Sequence, residues 1–175
     1  LLVTSPPYVT SYEYADIHQL STLWLDYSPD YKHFRTGSIG SLYHSCDLRF
    51  NVPKLNQSGL TVVMQMYSVD KKQAKAIAQY YVNMQEVVKK ICNIVKKGGA
   101  CLFVIGNTEY KSVKIDNARH LAESLLNEGF YNVTIKRRKI LNKILTPYRD
   151  KNGKFSSDKT SRKIYSEEFL IFAQL

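Results

Sequence analysis

The 175-residue chain reads as a single α/β domain, residues 1–175, built on a mostly parallel sheet with an antiparallel pair at one edge. Three observations predict this. Ala100–Ile105 is almost uniformly apolar, the pattern of a strand covered on both faces in a parallel sheet. Between Asp70 and Gly98 apolar residues recur at helical spacing (Ile77, Tyr81, Met84, Val88, Ile91, Val95), so a long helix precedes that strand. A second helix-like stretch follows it, then two strand-like stretches separated by a long polar excursion. Strands alternating with helices imply parallel pairing through right-handed crossovers.

In chain order, Leu1-Leu2-Val3 is a short apolar strand that runs into Thr4-Ser5-Pro6-Pro7-Tyr8. The two prolines fix φ and remove two N–H donors, and each pushes the residue before it toward extended backbone. Carbonyls in such a corner point away from sheet pairing, with a hydroxyl (Ser5) and a flat ring (Tyr8) beside them. An ordinary strand-ending turn is the plainer reading. Tyr12–Tyr27 then carries Tyr14, Ile17, Leu20 or Ser21, Trp24 and Tyr27 at three- and four-residue steps. That stripe packs in a core, or its first turn, with Tyr12 and Glu13, lines a pocket beside the proline corner; both can hold. Residues 28–59 show no period and contain Pro29, Gly37, Gly40, Pro53 and Gly59, as in a long loop or flap. Gly37-Ser38-Ile39-Gly40 lacks the preceding strand and third glycine of a nucleotide-binding loop.

Leu60–Tyr67 is apolar and fits strand or helix. Asp70 with Gln73 resembles a capping box opening the long helix, which Lys96-Lys97-Gly98 closes. Asn107, Thr108 and Glu109 follow the apolar strand. Asp116 caps a helix with Ala118, Leu121, Ala122, Leu125 and Leu126, ended by Gly129. Phe130–Leu141 reads as a strand, Asn142–Arg162 as a basic excursion, and Ile164–Gln174 as a last strand antiparallel to the one before. Ligands gather at the carboxyl ends of strands in open α/β sheets. Ser5–Tyr8 and Asn107–Glu109 are therefore expected on one rim.

Composition narrows the partners. From Lys136 to Lys163 eleven basic residues face only Asp150 and Asp158, so this segment holds +9 of the formal net charge of +10. A basic run is commonly a solvated face, yet so concentrated an excess favours a polyanion. No apolar run is long enough to span a membrane. Cys46, Cys92 and Cys101 are too scattered for a disulfide framework and suit a reducing, cytoplasmic setting. Neither these cysteines nor the four histidines make a metal-ligand set.

The run Ser5-Pro6-Pro7-Tyr8 after an apolar strand resembles the catalytic motif of DNA amino-methyltransferases, which modify cytosine N4 or adenine N6. Gly98-Gly99 leading into Phe103-Val104-Ile105-Gly106-Asn107 is similar to that family's fifth strand. Leu145–Asp150 with Gly153-Lys154-Phe155 and Glu167-Glu168-Phe169 resembles the tail of one subgroup. The resemblance implies a partial Rossmann-like, S-adenosylmethionine-dependent methyltransferase fold. It also implies Ser5, Pro6, Pro7 and Tyr8 as catalytic residues and Thr4 and Asn107 near the cofactor. DNA contacts would come from Tyr12, Arg138, Arg149 and Lys154, although plain surface charge explains the basic ones equally. The family's glycine-rich cofactor turn and the acidic residue that follows it are missing. The chain thus resembles the catalytic and closing half of the fold, with an N-terminal half or partner chain expected to supply the rest. Two other readings stay open: an RNA amino-methyltransferase, and a non-catalytic nucleic-acid-binding remnant that uses only the basic segment.

Overall fold

The computed structural model describes residues 1–9, 13–41, 43, 46–140, 148–149, 156–158, 162–163 and 167–175. In order, the elements are β1 (Leu2–Thr4), α1 (Tyr14–Ile17), α2 (Gln19–Trp24), a 3-10 turn at Tyr31–Arg35, and α3 (Leu48–Asn51) running into a 3-10 turn at Val52–Lys54. Then come α4 (Gln57–Val69), α5 (Lys71–Ile94), β2 (Ala100–Ile105), β3 (Thr108–Tyr110), β4 (Val113–Ile115) and α6 (Asn117–Asn127). The chain finishes with β5 (Tyr131–Lys139), β6 (Tyr148–Arg149), β7 (Arg162–Lys163) and β8 (Glu167–Gln174). Among these, no helix is long and apolar enough to cross a membrane.

Each long helix starts where a side chain satisfies its first amides. Asp70 accepts from the N–H groups of Lys72 and Gln73 at 3.1 Å and opens α5. Asn56 accepts from Gly59 N–H at 2.8 Å and opens α4. This settles Leu60–Tyr67 as helix. Glu123 of α6 adds its carboxylate to the same α4 terminus, accepting from Gln57 and Ser58 N–H at 2.9 Å each. Asp116 caps α6 through Arg119 N–H. Gly98, at φ +76°, takes the left-handed turn that leads from α5 toward β2.

The four-stranded sheet has the order β1-β2-β8-β5, with β1 parallel to β2 and β8 antiparallel to both β2 and β5. The sheet is therefore mixed rather than mostly parallel in its pairings; the expected antiparallel pair, β8 with β5, does close one edge, with β5 outermost. Burial explains the order. Phe169–Phe172 is apolar and sits between neighbours, whereas β5 is exposed at every position but Val133 and forms the charged outer edge. Strand β2 alternates: Cys101, Phe103 and Ile105 are buried, and Ala100, Leu102 and Val104 are half-buried. Its uniform apolarity thus overstated its coverage. Helices α4, α5 and α6 share one core with Cys101, Phe103, Ile105, Ile171 and Ala173.

A buried polar knot fastens those helices together. His120 of α6 stacks on Tyr81 of α5 with ring centroids 3.9 Å apart, and its Nε2 lies 3.2 Å from Gln85 Oε1. The same Gln85 oxygen accepts from Asn56 N–H, and Asn56 Nδ2 donates to His120 O and Ser124 Oγ. Burial pushes the His120 pKa down to about 3, opposed only by the Glu123 charge. The ring is thus held neutral, with Nε2–H as donor.

Two expectations change nearer the N-terminus. The stripe from Tyr12 to Tyr27 breaks at His18 into two short helices, and α2 buries none of its residues. Residues 28–59, expected to lack regular structure, contain the two 3-10 turns, α3 and the start of α4, begun by Asp30, Asp47 and Asn56 as caps. Arg35 in that stretch ties back to α1, its Nη2 lying 2.7 Å from Asp16 Oδ1.

Candidate functional site: the proline corner at the sheet rim

Because β1 and β2 run parallel, with Thr4 opposite Phe103, the segments leaving their carboxyl ends emerge side by side. Ser5–Tyr8 and Gly106-Asn107 therefore share one rim. Pro6 is buried, Pro7 and Tyr8 are half-buried, and Ser5 is exposed. The Tyr80 hydroxyl on α5 donates to Pro7 O at 2.9 Å. Burial first, then the neighbouring Tyr14 and Tyr8, raises the Tyr80 pKa, so this donor keeps its proton. Among the described residues, Pro6 O and the Ser5 hydroxyl have no hydrogen-bond partner. One carbonyl of the corner is anchored and the one before it is unengaged.

Two glycines make room for Tyr8. A Cβ on Gly106 would lie 3.0 Å from Tyr8 Cε1, so the ring rests directly on the backbone after β2. Gly40, at φ +92°, approaches so closely that a Cβ there would meet Tyr8 O at 2.7 Å. Gly40→Ala combines that clash with left-handed strain and is expected to destabilise the fold by about 1–3 kcal/mol in urea unfolding. Gly37→Ala, whose Cβ would approach nothing closer than Phe34 O at 3.9 Å, serves as the tolerated control. Next to Gly40, the Ser41 hydroxyl donates to Glu13 Oε2 at 2.6 Å, leaving Glu13 Oε1 buried without a partner among the described residues.

The remaining sequence-predicted residues divide. Thr4 is half-buried in β1. Asn107 is on the rim, but its amide is committed: Nδ2 donates to Asp116 Oδ1 at 2.9 Å and Oδ1 accepts from Ala118 N–H at 3.0 Å. It braces the start of α6. Arg138 lies near the carboxyl end of β5, which runs in the same direction as β1, so it reaches the same rim about three strand spacings away, roughly 14 Å. It pairs with Glu168, and Arg137 pairs with Glu167 at 3.5 Å. Lys136 and Lys139 have no acidic partner among the described residues. Arg149 contributes backbone to β6 opposite Arg162, and its side chain lies outside the described residues. So do Tyr12 and Lys154.

Tyr80, Gly40, Gly106 and Ser41 complete the corner; Tyr80 and Ser41 were not named from sequence, and Gly40 and Gly106 were named only as a loop glycine and as part of a strand-end run. Tyr80 adjoins Tyr81, a core position, and nothing in the pattern shows that its hydroxyl turns toward Pro7. Among the described residues no cluster of His, Cys, Asp or Glu could hold a metal ion. No protein-family model, no curated protein and no solved structure matches this chain.

Proposed function

We propose that this chain is the base-gripping, closing half of a Rossmann-like amino-methyltransferase that acts on the exocyclic amino group of a base in DNA, cytosine N4 ahead of adenine N6. The observation that carries the reading is the proline corner, with Pro7 O fixed by Tyr80 while Pro6 O and Ser5 are left unengaged at the rim. The sheet order supports it, since an inverted last strand between β2 and β5 suits the closing half of such a fold.

The chemistry asks for this arrangement. The lone pair of an exocyclic amino group is delocalised into its ring, so the nitrogen is a poor nucleophile. Acceptors held against its two hydrogens, Pro6 O and the Ser5 hydroxyl, favour a tetrahedral nitrogen with a localised lone pair. Such preorganised groups contribute on the order of 10²–10³ in rate. Tyr8 stacks on the base, which must leave the duplex to arrive there. The cations at the end of β5 then meet phosphates on the same rim.

The methyl donor in this reading is S-adenosylmethionine, and the residues present do not build its site. The Asn107 amide is used at both ends by α6, and among the described residues no glycine-rich strand-to-helix turn stands beside the rim. The donor site is therefore assigned to another polypeptide or another part of the protein, and the role argued for this chain is to hold the acceptor.

Calorimetry and fluorescence anisotropy test this division. The chain alone is expected to bind duplex DNA with an affinity that falls steeply with salt, by a log–log slope of about −0.9 per phosphate neutralised, and not to bind S-adenosylmethionine. With a cofactor-binding half supplied, labelled methyl is expected to reach DNA, and Pro6→Ala is expected to abolish the transfer. An unchanged rate in that variant removes the catalytic assignment. Preferential labelling of tRNA would favour RNA as substrate, and binding without transfer would leave a nucleic-acid-binding subunit.

A further inference from the structure

The largest surface that the proposed chemistry does not use is α2 and its flanks. Trp24 is 87% exposed, Leu20 78% and Tyr27 73%, and Ile17, Leu23 and Leu25 are each more than two-fifths exposed. At roughly 200 Å² for a fully exposed large side chain, these six present on the order of 800 Å². That is the share one partner contributes to a standard protein–protein interface. Isolated exposed leucines need no explanation, but six large apolar side chains within eleven residues do.

Charge decides what kind of surface covers them. From Ile17 to Ser28 the only formal charge is Asp26, on a chain whose net charge is +10. Nearby Asp16 is neutralised by Arg35, at 2.7 Å. Along the segment itself a nucleic acid would find no cation to meet its phosphates, the neighbouring 3-10 turn adding only Lys32 and His33 beside the engaged Arg35, and a wedge inserted between bases is normally framed by Arg and Lys. An interface core, by contrast, is depleted of charge and enriched in aromatic residues. The exposed residues also form a continuous patch. Leu20, Ser21, Leu23, Trp24 and Leu25 line an open apolar cleft from which Trp24 itself projects. A two-fold axis beside α2 would set this uncharged patch against its own copy, as an isologous contact requires.

We infer that α2 is a homodimer interface and that its occupant is a second copy of this chain. The contact joins the copies through a segment with almost no charge to repel. Dimerisation is therefore driven by apolar burial and opposed only by long-range repulsion between the two positively charged bodies.

Trp24 is the only tryptophan in the chain, so its fluorescence reports this surface alone. As protein concentration rises, sedimentation is expected to show the mass doubling while the emission maximum moves to the blue. Added salt should strengthen association, because it screens the repulsion and favours apolar burial. Leu20→Glu keeps the probe and leaves the fold intact, since Leu20 contributes almost nothing to the core, and it should weaken association by at least about 30-fold. A monomeric mass with solvent-exposed emission at every concentration would overturn the inference. So would a dimer whose emission stays red, one that Leu20→Glu does not disturb, or one that dissociates as salt is raised.

Discussion

Between pH 7 and pH 5 the unfolding free energy is expected to fall by about 2 kcal/mol through His120 alone. The ring is 1% exposed, wedged against Tyr81 and hydrogen-bonded through Nε2 to Gln85, and burial holds its pKa near 3 against an ordinary value of 6.5. The folded state therefore takes up the proton later than the unfolded state. Above 6.5 neither state binds it and the penalty is nil; as pH falls toward 3 the unfolded state gains about 1.36 kcal/mol per unit. Glu123 acts in the same direction but in a lower window. Desolvation raises its pKa, the hydrogen bonds from Ser58 and Gln57 outweigh that, and the net shift is downward from 4.5. Comparing pH 7 with pH 5 thus isolates the histidine. Urea unfolding of His120→Gln should give a lower stability that is nearly flat over this interval. A variant with the wild-type slope would place the pH dependence elsewhere.

Tyr8→Ala should weaken cytidine binding by about 5- to 150-fold, because base–aromatic stacking is worth about 1–3 kcal/mol, while Tyr8→Phe should bind nearly as well as the parent. The ring is held by what surrounds it: Gly106 beneath its edge, Gly40 against its carbonyl, and the preceding carbonyl fixed by Tyr80. Removing the phenol hydroxyl leaves those contacts in place, whereas removing the ring empties the platform. Near-equal affinities of the alanine and phenylalanine variants, with circular dichroism unchanged, would deny Tyr8 a stacking role.

Much of the framework was legible because its signals are local. Asp70 and Asp116 as caps, the α5 stripe and the apolar β2 follow from one-turn chemistry and short periods. The β3–β4 hairpin was not, and the reason is specific. Its turn residues Lys111 and Ser112 sit at φ +45° and +67°, a conformation normally announced by Asn-Gly. The place of β8 was also hidden: sequence pairs it with β5, but only the contrast between its apolar run and the charged β5 puts it inside the sheet. At the site, the proline corner was visible in five consecutive residues. Its anchors were not, because Tyr80 and Gly40 meet it from 73 and 32 residues beyond Pro7 and Tyr8. For Asn107 the sequence showed only an asparagine at a strand end, and its use by α6 depends on Asp116 and Ala118, nine and eleven residues on.

The central claim is that Pro6 O and Ser5 accept hydrogen bonds from an amino group while Tyr8 supports the ring that bears it. Titrating the isotope-labelled chain with cytidine and with N4,N4-dimethylcytidine, and following the resonances of Ser5 and Tyr8, tests this without any cofactor. Cytidine should shift both residues, and the dimethyl analogue, which has no amino hydrogen to donate, should leave Ser5 unmoved. Equal shifts from the two nucleosides, or none from cytidine, would contradict it.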